Sequence, residues 1–213
     1  MSATIARMAA FDVPLPRIAF PEPGWLDRMR AYLASAPRHM WIGKIRPPSG
    51  GLAACEAALG TRMPEELDVL YGECDGMEIG FVTLLPLARV IEDTRWVRGE
   101  IAPEEWDGCI PSDVPRSVLV VFAEDQSENK YAYRLDAVDR RVVYVSHDPP
   151  QAEHRFTSLS TFLDACSARA YALAMWNKVE TEHGYAPEFL GWFAAARELE
   201  VRIDPHLLRT IDD

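Results

Sequence analysis

The sequence predicts an α+β fold: an antiparallel β-sheet of about four to six strands with helices packed on it, extended by helices at both ends. Three observations carry this. Apolar residues recur at three- and four-residue spacing up to Cys74 and again from Ser158 onward. Short β-rich runs fill the stretch between. The later runs are joined by links of a few residues, which favours an antiparallel meander over crossovers.

Taken in order, residues 11–24 are proline-rich and read as extended chain. Trp25 to Ala34 reads as a short helix, with Trp25, Met29, Tyr32 and Leu33 at helical spacing. IRPPSGG, residues 45–51, is a turn by composition. Leu52, Cys55, Glu56 and Leu59 repeat at three and four, and Gly60 supplies a stop. Pro64 opens another helix, whose Glu65, Glu66 and Asp68 crowd the end where the helix dipole favours anions. Leu67, Leu70, Tyr71 and Cys74 form its inward stripe, and Asp75-Gly76 turns the chain out.

Strand-like segments follow at Glu78–Leu85, Val118–Ala123, Lys130–Asp136 and Arg141–Ser146. In the third, Tyr131, Tyr133 and Leu135 share one face, with Ala132 and Arg134 on the other. The long connection 87–117 holds a further helix and two tryptophans. A helix from Ser158 to about Gly184 carries the stripe Leu159, Phe162, Leu163, Cys166, Ala170 and Leu173. Pro187 starts the last helix, with Phe189, Leu190, Phe193 and Ala196.

Composition narrows the class. The 213 residues are 48% hydrophobic and 26% charged, ordinary for a globular chain able to bury a large core. The N-terminal 23 residues lack an unbroken apolar stretch, and no run is long enough to span a membrane, so the expected location is the cytoplasm. Cys55, Cys74, Cys109 and Cys166 are scattered without a C-x-x-C pair, as expected of reduced thiols.

Charge is unevenly placed. The chain carries a net −11, and residues 62–128 alone hold 5 basic and 16 acidic side chains, a net −11 within the segment. Such a field disfavours nucleic acid and anionic membranes. It serves either solubility or the steered approach of a basic partner.

The stretch FAEDQSENKYAYRLD, residues 122–136, places Asp125, Ser127 and Asn129 at alternate positions, as a calcium loop does. The calcium reading fails chemically. Lys130 stands where that loop requires glycine, Asp136 replaces its bidentate glutamate, and strands flank it in place of helices. His147-Asp148 is the one tempting dyad, set against a solvated turn. Cys74 and Cys166 fall on apolar helix faces with no base nearby, and Glu104-Glu105 reads as surface. Phosphate-binding glycine motifs and the nucleophile elbow are absent. No catalytic residue, metal site or cofactor is expected. Trp96 and Trp106, set among Glu92, Asp93, Glu100, Glu104, Glu105 and Asp107, have the composition of interface anchors; the alternative is that both rings fold into the core.

One stretch goes beyond composition. RPPSGGLAACEAALGTRMPEELDVLYGECDGM, residues 46–77, presents a proline-containing lead-in, Glu56, Leu59 and Gly60 in an E-x-x-L-G pattern, Met63-Pro64, and Asp75-Gly76 closing a second helix. LLPLARV, FAEDQSENKYAYRLD and HDPPQAEHRFTSLSTFLDAC extend the pattern to about residue 166. Together these resemble the SUKH superfamily, the Smi/Knr-type cell-wall-assembly regulators and bacterial immunity proteins. In this chain Ser127-Glu128-Asn129 departs from the family's glycine-containing turn. The resemblance implies an N-terminal extension (1–45), a core (46–166) and a C-terminal helical extension (167–213), expected to form one compact unit.

It also implies a binding scaffold without catalysis, commonly one that neutralises a cognate toxin such as a basic nuclease. The expected partner surface is then Glu92, Asp93, Trp96, Glu100, Glu104, Glu105, Trp106, Asp107, Glu124, Asp125 and Glu128, with Trp96 or Trp106 as anchor. The rival expectation is a regulatory scaffold for an endogenous enzyme. Oligomeric state is open, with a monomer favoured.

Overall fold

The computed structural model describes residues 13–37, 45–101, 114–138, 141–147, 150–183 and 189–205. Among them are six α-helices: α1 (Trp25–Ala34), α2 (Leu52–Leu59), α3 (Glu65–Glu73), α4 (Leu87–Val97), α5 (Leu159–His183) and α6 (Phe189–Ile203). Six strands, β1 (Met77–Ile79), β2 (Val82–Leu84), β3 (Leu119–Asp125), β4 (Lys130–Arg134), β5 (Val142–His147) and β6 (Pro150–Phe156), form one sheet. Their order is sequential and every pairing is antiparallel, so the α+β meander is observed. The chain divides into two compact units, Gly43–Leu159 and Met1–Ile42 with Ser160–Asp213.

The unit Gly43–Leu159 holds the sheet. Helices α2 and α3 bury Cys55 and Leu59, and Leu67, Leu70 and Tyr71, the stripes their spacing predicts. Central strand β3 has Leu119 to Ala123 fully buried, as an unbroken apolar run requires. Two expectations need correction. Glu78–Leu85 is not one strand but the hairpin β1–β2, because Gly80 takes φ 60 and folds the chain back so that Ile79 pairs with Val82. Strand β6 was not anticipated, since PQAEHRF is polar and opens on proline, a composition suited to the start of an outer strand.

The motif residues of 46–77 hold this unit together. Glu56 Oε1 accepts the Met63 amide at 2.8 Å, closing the α2–α3 turn. Asp75 Oδ1 accepts the Leu87 amide at 2.8 Å at the start of α4, while the Asp75 amide donates to Arg46 O and the Arg46 amide to Gly76 O. Gly76 sits at φ 91, and a Cβ there would lie 2.7 Å from Leu84 O and 3.0 Å from Pro86 N. Both atoms belong to backbone, which cannot swing aside.

The other unit is helical. Helix α5 buries Phe162, Leu163, Ala165, Cys166, Ala168 and Ala170, and α6 packs against it through Arg169, whose Nη1 lies 3.0 Å from buried Glu200 Oε1. The proline-rich chain before α1 lies on these helices, with Val13 clustered against Ala172 and Leu199. Cys55, Cys74 and Cys166 are buried and form no disulfide; Cys109 lies outside the described residues. No helix among the described residues is long and apolar enough to cross a membrane.

Gly76→Ala is expected to destabilise the protein by roughly 2–4 kcal/mol, from backbone overlap added to left-handed strain. A urea midpoint unchanged from the parent would contradict the packing described for the Asp75-Gly76 turn.

Candidate protein-binding surface around Lys130

Helix α4 is set against the sheet by Thr94, whose buried Oγ1 accepts the Val121 amide at 2.9 Å. Register shifts between Val121 and Ala123, so this amide is satisfied from the helix, and Phe122 O accepts the Leu85 amide. Asp93, the residue immediately before Thr94 on α4, is also carried inward, only 2% exposed.

Asp93 meets Lys130. The ammonium lies 3.0 Å from Asp93 Oδ2 and 2.6 Å from Glu124 Oε2, with the side chains of Lys130 and Asp93 3% and 2% exposed. Glu124 and Lys130 are cross-strand partners in the β3–β4 hairpin. Arg89, one turn before Asp93, closes the cluster from outside at 3.1 Å from Asp93 and 3.4 Å from Glu124. Two cations and two carboxylates thus neutralise one another, the condition under which buried charge is tolerated.

The β3–β4 turn is built on Asp125. Its Oδ1 accepts the amides of Ser127 and Asn129 at 2.9 and 3.0 Å, and its Oδ2 accepts Asn129 Nδ2 at 3.2 Å and the Tyr144 hydroxyl at 2.9 Å. Burial, reinforced by Asp125, pushes the Tyr144 hydroxyl well above its usual range, so it remains a donor. Asn129 in turn accepts the His147 amide. Glu128 takes φ 63 without being glycine, and its amide bonds Asp125 O at 3.0 Å. The left-handed residue of the turn is therefore kept, with side-chain hydrogen bonds standing in for glycine's freedom.

Asp125, first of the alternating oxygen-bearing residues of this stretch, closes a turn, and Lys130 turns instead to Asp93 and Glu124. Among the described residues no group of three or more His, Cys, Asp or Glu could hold a metal ion. A second polar cluster joins α3 to the sheet. The Tyr133 hydroxyl donates to Glu66 Oε2 at 2.7 Å, and Arg141 Nη1 lies 3.3 Å from the same oxygen. Burial and the Glu66 hydrogen bond push the Tyr133 hydroxyl up to about 12.

The residues named for partner contact therefore separate. Asp93 is interior, Glu124 is only 19% exposed, and Asp125 is committed to its turn. Glu92, with its side chain 67% exposed, Glu100 and Glu128 face solvent; Glu92 lies 3.8 Å from Arg89 and Glu100 lies 3.0 Å from Arg95. Trp96 is half-buried on α4. Glu104, Glu105, Trp106 and Asp107 lie outside the described residues.

Lys130 escaped sequence reasoning as an organising residue. Its signal was there: a cation at a strand start, on the face of Ala132 and Arg134. Glu65, Asp68 and Glu73 are also exposed, on α3, a helix with no basic residue in its last turn.

Lys130→Met should cost about 3–5 kcal/mol by leaving Asp93 and Glu124 uncompensated, and adding Asp93→Leu should recover part of that loss; equal urea midpoints for parent and single variant would dismiss the cluster as a structural element. Glu128→Gly is expected to stabilise by about 0.5–1 kcal/mol through relief of the left-handed backbone, and Glu128→Val to destabilise. Thermal melts of the two variants provide the comparison.

A family model described as the SMI1 / KNR4 family (SUKH-1) matches residues 50–165 of the chain. No curated protein matches it.

Proposed function

Because the chain belongs to the SMI1/KNR4 (SUKH-1) family, we propose that it is a non-catalytic protein-binding module, an immunity protein acting in the cytoplasm against a basic, nuclease-type toxin domain. The supporting observation is where its charge lies. Residues 62–128 carry a net −11, and after Asp93, Glu124, Asp125, Glu66 and Asp75 are committed internally, Glu92, Glu100 and Glu128 still face solvent.

A nuclease holds polyphosphate and is basic at its site, so an acidic surface held in fixed geometry competes for the same groups. The internal pairs supply the fixed geometry. Glu92 stands on α4 and Glu128 on the β3–β4 turn, and Arg89, Asp93 and Glu124 tie those two elements together. Trp96, half-buried beside Arg95, is the aromatic anchor of this reading.

The test uses the protein and the toxin domain encoded beside its gene. Binding in the nanomolar range or tighter and loss of toxicity on co-expression are expected. Glu92→Lys with Glu128→Lys should slow association about tenfold at low salt, with the difference shrinking as salt screens the charges. A double variant that associates at the parent's rate at every ionic strength would move the binding surface elsewhere; no binding by the parent would end the toxin reading.

A further inference from the structure

The proline-rich segment Val13–Phe20 lies outside the family-matched residues and is strapped to the helical unit by few, identifiable bonds. Tyr32 of α1 donates its hydroxyl to Pro14 O at 2.8 Å. Arg28, one turn earlier, donates to Ile18 O at 2.7 Å and to Ala19 O at 3.1 Å. Val13 is buried against Ala172 of α5 and Leu199 of α6. Besides the buried side chains of Ile18 and Phe20, a further fastening is the Ile18 amide, which donates to Asp164 Oδ1 on α5 at 3.3 Å.

We propose that Asp164 is a proton-controlled latch for this strap, holding it more firmly at mildly acidic than at neutral pH. The geometry is that of a charge covered without compensation. Asp164 is half-buried, and among the described residues its one hydrogen bond is the long one from Ile18 and no lysine, arginine or histidine pairs with it. The described groups around it supply no cation. Tyr32, the titratable neighbour on α1, has its proton committed to Pro14 O; Arg28 is engaged by carbonyls; Arg169 further along α5 pairs with Glu200; and Arg17, beside Ile18, is exposed.

Covering the carboxylate disfavours its charged form, and the Ile18 amide restores only part of the lost hydration. Burial accordingly raises the Asp164 carboxyl from 3.8 to about 6, against the opposing pull of that amide. The sign follows. A carboxyl whose proton is held more tightly with the strap down than with it lifted favours the closed strap fully below the ordinary carboxylate range. That preference is lost as pH rises through about 6. The strap itself carries the consequence, since lifting it returns Asp164 to water and uncovers Ile18 and Phe20, both buried when it is closed.

Amide hydrogen exchange of Ile18–Phe20 in the full-length protein, corrected for the intrinsic rate, tests this. Opening should increase about tenfold between pH 5 and pH 7, since each pH unit in the interval between the two carboxyl states changes the equilibrium by up to that factor. Asp164→Asn keeps the acceptor and removes the charge, so its opening should be independent of pH. Tyr32→Phe, which removes only the bond to Pro14, should raise opening at every pH and keep the parent's slope. A parent with no slope, or an Asp164→Asn variant with the same slope, would overturn the proposal.

Discussion

The ammonium of Lys130, held between Asp93 on α4 and Glu124 on β3, is the constraint on which the rest of the sheet-containing unit depends. Helix α4 and the β3–β4 hairpin, separated in sequence, must converge for that charge to be buried at all. A hairpin out of register, or a helix rotated by one residue, would leave an ion in the interior without a partner, at a cost of several kcal/mol. Replacing such a cluster by packed apolar side chains can be neutral or even stabilising. Its contribution here is specificity: it singles out one pairing of helix and hairpin, and the Asp125 turn next to it inherits that geometry.

The same pairing divides the chain's acidic charge into two populations. Carboxylates at Glu66, Asp75, Asp93, Glu124 and Asp125 accept hydrogen bonds inside the unit and contribute little to an outward field. Those at Glu92, Glu100 and Glu128, with Glu65, Asp68 and Glu73, remain in water. A net charge counted along the sequence therefore overstates the charge turned toward solvent. The family motif behaves likewise: Glu56, Asp75 and Gly76 close turns and start helices. In this chain the family motif thus serves the scaffold.

Much of the fold was legible without coordinates. Periodicity located α1, α2, α3 and α5 closely, and Pro64 and Gly60 marked their boundaries. Short links announced the meander. The misses have physical reasons. Glu78–Leu85 alternates well enough for one strand, and only the left-handed Gly80 converts it to a hairpin. Strand β6 has too little apolar character to be recognised. Glu92, Glu100 and Glu128 are exposed, whereas Asp93 falls at helical spacing on the buried stripe of Leu87, Val90, Thr94 and Val97, a periodic signal that charge counting alone overlooks.

The sequence by itself determined the class of fold, the order of elements and the excess of negative charge, because each depends on neighbours within a few residues. Only the tertiary structure decided which carboxylates are interior. Asp93 and Lys130 stand 37 positions apart, and whether a carboxylate is buried and paired or free in water depends on what the fold brings within about 3 Å of it. The loop that reads along the chain as a ligand set for a metal ion spends its Asp125 oxygens on its own amides and on Tyr144, while the neighbouring Lys130 is held by Asp93 and Glu124.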